Sequence, residues 1–137
     1  VNVKETGKIL MVDYRDVSNL TITEIPAARL HFGGFDASRY VMMAANQSNK
    51  IAVVDAKLGH GKLAAFVEVD KIPHPGRGAN FVHPTCGPVS ATGFHGFSEK
   101  ISLTTDLPEK HKQYFWKVCQ TLDGQFGGNF IKTQPNS

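Results

Sequence analysis

Apolar residues along this chain come in short runs separated by turn-forming clusters, and none of the runs holds a helical spacing over three turns. Gly7 to Tyr14 is an apolar run closing on Asp13 and Tyr14, and Leu20 to Ile25 alternates apolar and polar with period two. Such alternation is the mark of a half-buried strand. Tyr40 to Ala45, Lys50 to Asp55 and Leu63 to Val69 are three further predicted strands, with the cluster Asn46-Gln47-Ser48-Asn49 as a turn between the first two. The pattern predicts an all-β chain.

The strands repeat. Lys8-Ile9-x-Met11-Val12-Asp13 lines up with Lys50-Ile51-x-Val53-Val54-Asp55 at a shift of 42, Leu20 with Leu63 at 43, and Glu24-Ile25 with Glu68-Val69 at 44. A third copy begins at Lys100-Ile101-Ser102-Leu103 and closes at Asp106, and Gly127-Gly128-Asn129-Phe130-Ile131 echoes Gly78-Ala79-Asn80-Phe81-Val82. Short strands recurring every 40–50 residues are the signature of a β-propeller with one four-stranded blade per repeat. A chain of 137 residues holds about three such blades, fewer than the four to eight that close a propeller. With Val1 rather than Met at its start, the chain is expected to be one piece of a larger protein.

Composition adds mainly exclusions. The net charge of +3 is scattered, without a basic run or an aromatic-interleaved stripe, which argues against nucleic-acid binding. The longest apolar run, Tyr40 to Ala45, is too short to span a membrane. The two cysteines, Cys86 and Cys119, form no C-x-x-C pair and no haem attachment motif, and are read as buried or half-buried thiols, a disulfide between them being left open.

Candidate chemistry concentrates in Lys71 to Pro88, KIPHPGRGANFVHPTCGP. Pro73 and Pro75 bracket His74 and exclude it from a helix or a central strand, so the segment reads as a stiff loop. Gly76 and Gly78 flank Arg77 and permit tight turning or close approach to a ligand. The repeat puts His31 and His74 in equivalent positions, 23 and 24 residues after Lys8 and Lys50, each followed two places later by glycine. Equivalent loops lie on one face of a propeller, so the two imidazoles are expected to approach a common space. There they suit proton donation to a bound anion, or metal ligation. No third ligand accompanies them, which argues against zinc, and no metal site is assigned. Arg77, in its glycine-flanked loop, suits an anion clamp. His83, at a strand end before Pro84, is read as structural; His60, His95 and His111 are read as solvent-facing.

Four motifs together, LHFGGFD (Leu30 to Asp36), AANQSNKIAVVD (Ala44 to Asp55), HPGRGANFVHP (His74 to Pro84) and GGNFIKT (Gly127 to Thr133), closely resemble the haem-d1 nitrite reductases of the cytochrome cd type, over essentially the whole chain. The resemblance implies that residues 1–137 are part of a haem d1-binding domain, about three blades of an eight-bladed propeller. It also implies a periplasmic homodimer that reduces nitrite to nitric oxide and water. His31 and His74 would stand on the distal side of haem d1 as proton donors and anion binders, and Arg77 would contact the carboxylates of the cofactor. Haem c is expected on a domain absent from this chain. The electron donor is expected to be a small periplasmic protein such as a c-type cytochrome or cupredoxin, and the fragment alone is expected to be inactive.

The chain departs from the family pattern at Phe32, where an aspartate is usual, at Phe35, where a tryptophan is usual, across Ser90 to Phe97, and at Gln134, where a histidine is common. The loss of an acid beside His31 bears on that histidine's proton affinity and orientation. Two alternatives stand beside the reductase: a haem d1 biosynthesis or carrier protein on the same propeller, and a cofactor-free propeller acting as an interaction module.

Overall fold

The computed structural model describes residues 1–27, 33–35, 40–57, 61–69, 71, 73–94, 100–105, 116–123, 131 and 133–134, with backbone alone at 33–35, 46, 75–78, 94 and 100–105. These residues form eleven strands and one short 3-10 turn, Asn46–Ser48. The strands are β1 (Asn2–Val3), β2 (Lys8–Asp13), β3 (Thr21–Pro26), β4 (Gly33–Phe35), β5 (Tyr40–Ala45), β6 (Lys50–Asp55), β7 (Lys62–Glu68), β8 (Pro73–His83), β9 (Gly87–Phe94), β10 (Lys100–Thr105) and β11 (Val118–Asp123). They make three antiparallel sheets, ordered β1-β2-β3, β4-β5-β6-β7 and β8-β9-β10-β11.

This is an all-β chain and a β-propeller segment of about three blades. Lys50 and Lys100 start the third strand of their sheets, β6 and β10, and Lys8, their counterpart in the repeat, starts β2, the second of the three strands in the first sheet. The first sheet lacks a counterpart of the first strands β4 and β8 among the described residues. Strands β5 and β6 have the predicted bounds, and β2, β3 and β7 differ from theirs by one residue at each end.

The repeated residues have local structural work. Asp13 closes β2 by accepting the Arg15 N–H at Oδ1 (3.1 Å), and Asp55 closes β6 by accepting the Lys57 N–H at Oδ1 (2.9 Å). In both, a short side chain stops the strand by satisfying the backbone two residues on. Lys8 pairs with Glu24 at 2.7 Å and Lys50 with Glu68 at 3.8 Å, each across the third and fourth strands. Lys100 is in register with Asp123 in the third sheet.

The fourth strand corrects the repeat as read from sequence. Ile9 pairs with Ile25 and Ile51 with Val67, so Ile25 corresponds to Val67 and not to Val69. Glu24 therefore lies one pair diagonal to its lysine, whereas Glu68 lies directly opposite. A displacement of two residues keeps a side chain on the same face, which is why both acids still reach. The second sheet also carries an extra residue, Ala64, between the Val53–Ala65 and Val54–Leu63 pairs, a bulge absent from the first sheet.

The sheets stack face to face. One core joins the first two through Ile9, Ile25, Val41, Met43, Ala45, Ala52 and Val54. A second core holds Met42, Ile51, Val53 and Val67 of the second sheet, with Trp116 and Val118 of the third packed against them. Alternate residues of β5 and β6 thus face opposite neighbours, and the interior of both strands is apolar without a break because both faces are covered. Trp116, at φ 52°, sets its ring edge-on to Tyr40, with centroids 4.8 Å apart and planes at 85°. First strands converge: β4 and β5 both pack against β8. The first-strand edges therefore mark the axial side of the stack.

Candidate functional site

Pro73 to His83, read from sequence as a stiff loop, is an eleven-residue edge strand, β8. The prolines are tolerated because an edge strand has one unpaired side and because the ladder breaks beside them. Pro73 pairs with Phe94 and His74 with Gly93, and pairing resumes only at Ala79 with Ala91. Four residues, 75–78, thus stand opposite the single Thr92. Pro75, Gly76, Arg77 and Gly78 leave the ladder as a wide bulge on the axial edge of the third sheet. Proline cannot donate to a ladder and glycine gains little from one, so the same composition that argues against a regular strand makes the bulge.

The surplus of three is odd, and it reverses which face each later residue occupies. By register His74 shares the face of Gly93 and Ala91 with Ala79, although a regular strand would put His74 and Ala79 on opposite faces. His74 is half-buried, with its Nδ1 closed to solvent. Arg77 lies in the bulge itself. His31, the other histidine assigned to the site, falls outside the described residues, as does Phe32; its neighbour Gly33 opens β4, the strand that packs beside β8. His60, His95 and His111 also fall outside the described residues.

Further along β8, Ala79, Asn80, Phe81 and Val82 form one wall of an open cleft of about 750 Å³, whose other wall is Ile131, Thr133 and Gln134. Ile131 closes the segment Gly127 to Ile131, whose sequence echoes Gly78 to Val82. Ser90 and Thr92 of β9 are buried polar residues behind the bulge.

The sequence reading left one pairing open. Cys86 and Cys119 are not free thiols but a disulfide, with Cα atoms 6.3 Å apart. Cys86 sits in the β8–β9 turn, and Cys119 is the bulged residue of β11 between Val118 and Gln120. Only the strand order brings residues 33 apart in sequence together. His83 has the structural role expected of it: its Nδ1 accepts the N–H of Thr85 and of Cys86, each at 3.2 Å, and so closes the same turn. Antiparallel alternation puts this turn on the rim opposite His74.

Arg15 is held above the usual arginine range by its hydrogen bonds to Asp13 and by the charge of that carboxylate. That pair lies on the β2–β3 hairpin and takes no part in the site.

Comparison with known proteins agrees with this architecture. The profile of the cytochrome D1 heme domain matches residues 1–137. The chain is 54% identical over 144 aligned positions to a nitrite reductase from Stutzerimonas stutzeri, all of this chain against 25% of that protein. It thus spans about a quarter of the length of the curated relative it matches. On its strand repeat, its bulged first strand and a profile match along its whole length, the chain belongs to the cytochrome D1 heme domain family.

Proposed function

We propose that this chain is part of a dissimilatory nitrite reductase that converts nitrite to nitric oxide and water, contributing about three blades of an eight-bladed propeller to the haem d1 pocket. The observation that carries this reading is the bulge of β8, in which Arg77 leaves the ladder just after His74 on the first-strand edge of a chain matched throughout by the haem d1 domain profile. The donor set suits such a cofactor. An imidazole with one nitrogen buried and the residue half-exposed can be held in orientation while its other side meets a ligand. A guanidinium on a backbone released from its ladder suits the carboxylates of a macrocycle.

When bound, haem d1 would supply the iron that takes nitrite and the one electron its reduction requires. The chain's own residues supply protons and position. Conversion of nitrite to nitric oxide and water consumes two protons with that electron, and two imidazoles near neutral pH are apt donors to the departing oxygen. His74 would be one and His31 the other. In their charged form they would also hold the anion in the pocket. Arg77 would orient the macrocycle by pairing with its carboxylates.

The Cys86–Cys119 disulfide supports maturation in an oxidising compartment, in line with a periplasmic location. Electrons would arrive through a haem c domain outside this chain from a small periplasmic donor such as a c-type cytochrome or cupredoxin, in a homodimer. The test is to express the full-length protein containing these residues in a host that makes haem d1. A haem d1 absorption band with nitric oxide formed from nitrite is expected. A band without nitric oxide would favour a carrier or biosynthetic role, and no band would favour a cofactor-free interaction module.

A further inference from the structure

The bulge of β8 is not fixed by its own ladder. Four residues face one, and sliding β8 by two residues along β9 would keep every later side chain on its present face while moving surplus chain between the bulge and the β8–β9 turn. Being the edge of its sheet, β8 has β9 as its one ladder partner among the described residues. What opposes such a slide is the far end of the strand.

There His83, the last residue of β8, pairs with Gly87, and its Nδ1 accepts the N–H groups of Thr85 and Cys86. Cys86 is 1% exposed and bonded to Cys119, which is set into the bulge of β11 at the opposite edge of the same sheet. The turn is thereby tied both to the end of β8 and across the sheet to the outermost strand.

We propose that His83 and the Cys86–Cys119 disulfide form a clamp that fixes the register of β8, and that they are positioning residues for His74 and for the bulge after it that holds Arg77. The clamp itself is argued from this blade alone. Its importance for chemistry rests on the functional reading above, and the experiment is read without substrate so that the two fail separately.

Hydrogen exchange of the full-length protein tests it, comparing the wild type with a Cys86→Ala/Cys119→Ala double variant, His83→Ala and His83→Asn. Asparagine presents an acceptor oxygen at about the place of Nδ1 and closes such turns readily, so it should restore what alanine loses. Exchange across residues 73–83 should accelerate about ten-fold or more in the double variant and in His83→Ala, and stay near wild type in His83→Asn. Exchange across residues 40–55, in the neighbouring blade, should not change. Unchanged exchange at 73–83, equal acceleration at 40–55, or failure of His83→Asn to restore protection would each overturn the clamp.

Discussion

Replacing Gly61 with alanine probes how the first two blades fit together. Gly61 precedes β7 at φ +43°, and a Cβ built there would fall 2.3 Å from Cγ and 2.9 Å from Cβ of Met11, with Ile25 Cδ1 at 3.3 Å. Met11 and Ile25 belong to β2 and β3, so the glycine is a point where one blade's backbone meets its neighbour's side chains. A left-handed backbone costs an L residue roughly 1–2 kcal/mol. Overpacking adds about 1–3 kcal/mol, because the Met11 Cγ is free to swing away while its Cβ is fixed to the β2 backbone. Gly61→Ala should therefore destabilise this interface by about 2–5 kcal/mol. Hydrogen exchange of peptides covering residues 8–13 and 50–55 in the full-length protein reads the local opening, without requiring the whole protein to unfold in one step. A double-mutant cycle with Met11→Ala separates the two contributions: removing Cγ relieves the closest contact, and the coupling should be about 1 kcal/mol or more. A loss below about 0.5 kcal/mol for Gly61→Ala, or strict additivity with Met11→Ala, would refute this packing of the blades.

Trp116 supplies the matching test between the second and third blades. Trp116→Ala should lose about 2–3 kcal/mol of protection at residues 40–45, less than a fully buried tryptophan because the ring is half-exposed, with little change at residues 8–13. Arg77→Ala in the full-length protein should weaken retention of haem d1, read as the cofactor remaining after gel filtration; full occupancy would remove Arg77 from cofactor binding. Nitrite turnover should fall as pH rises through the imidazole range if, as proposed, protonated histidine is the donor. A rate independent of pH there would exclude imidazole proton donation.

Much of the frame is legible in the sequence because the repeated residues do local work. Lys8 and Lys50, which open β2 and β6, pair with acids on the next strand, and Asp13 and Asp55 stop their strands by the same backbone contact. Both faces of β5 and β6 are buried, and their unbroken apolar runs mark them directly. Strand β8 is hidden for the converse reason. Its prolines and glycines signal a loop, and only pairing with β9 reveals that they form a bulge within an edge strand. The register of the fourth strands is hidden too. Glu24 and Glu68 look equivalent, but a shift of two preserves the face and lets each acid reach its lysine from a different pair. The disulfide depends on strand order across a whole sheet, which two isolated cysteines do not encode. The candidate site divides in the same way: the repeat spacing marks His74 and the flanking glycines mark Arg77, and the ladder shows that Arg77 leaves it directly after the still-paired His74.

The most direct test of the proposed function is nitric oxide formation from nitrite by the full-length His74→Ala variant at haem d1 occupancy equal to wild type. Loss of one of two proton donors should lower turnover by about a hundred-fold or more, with the haem d1 absorption band retained. Wild-type turnover in the loaded variant would contradict the assignment of His74 to the chemistry.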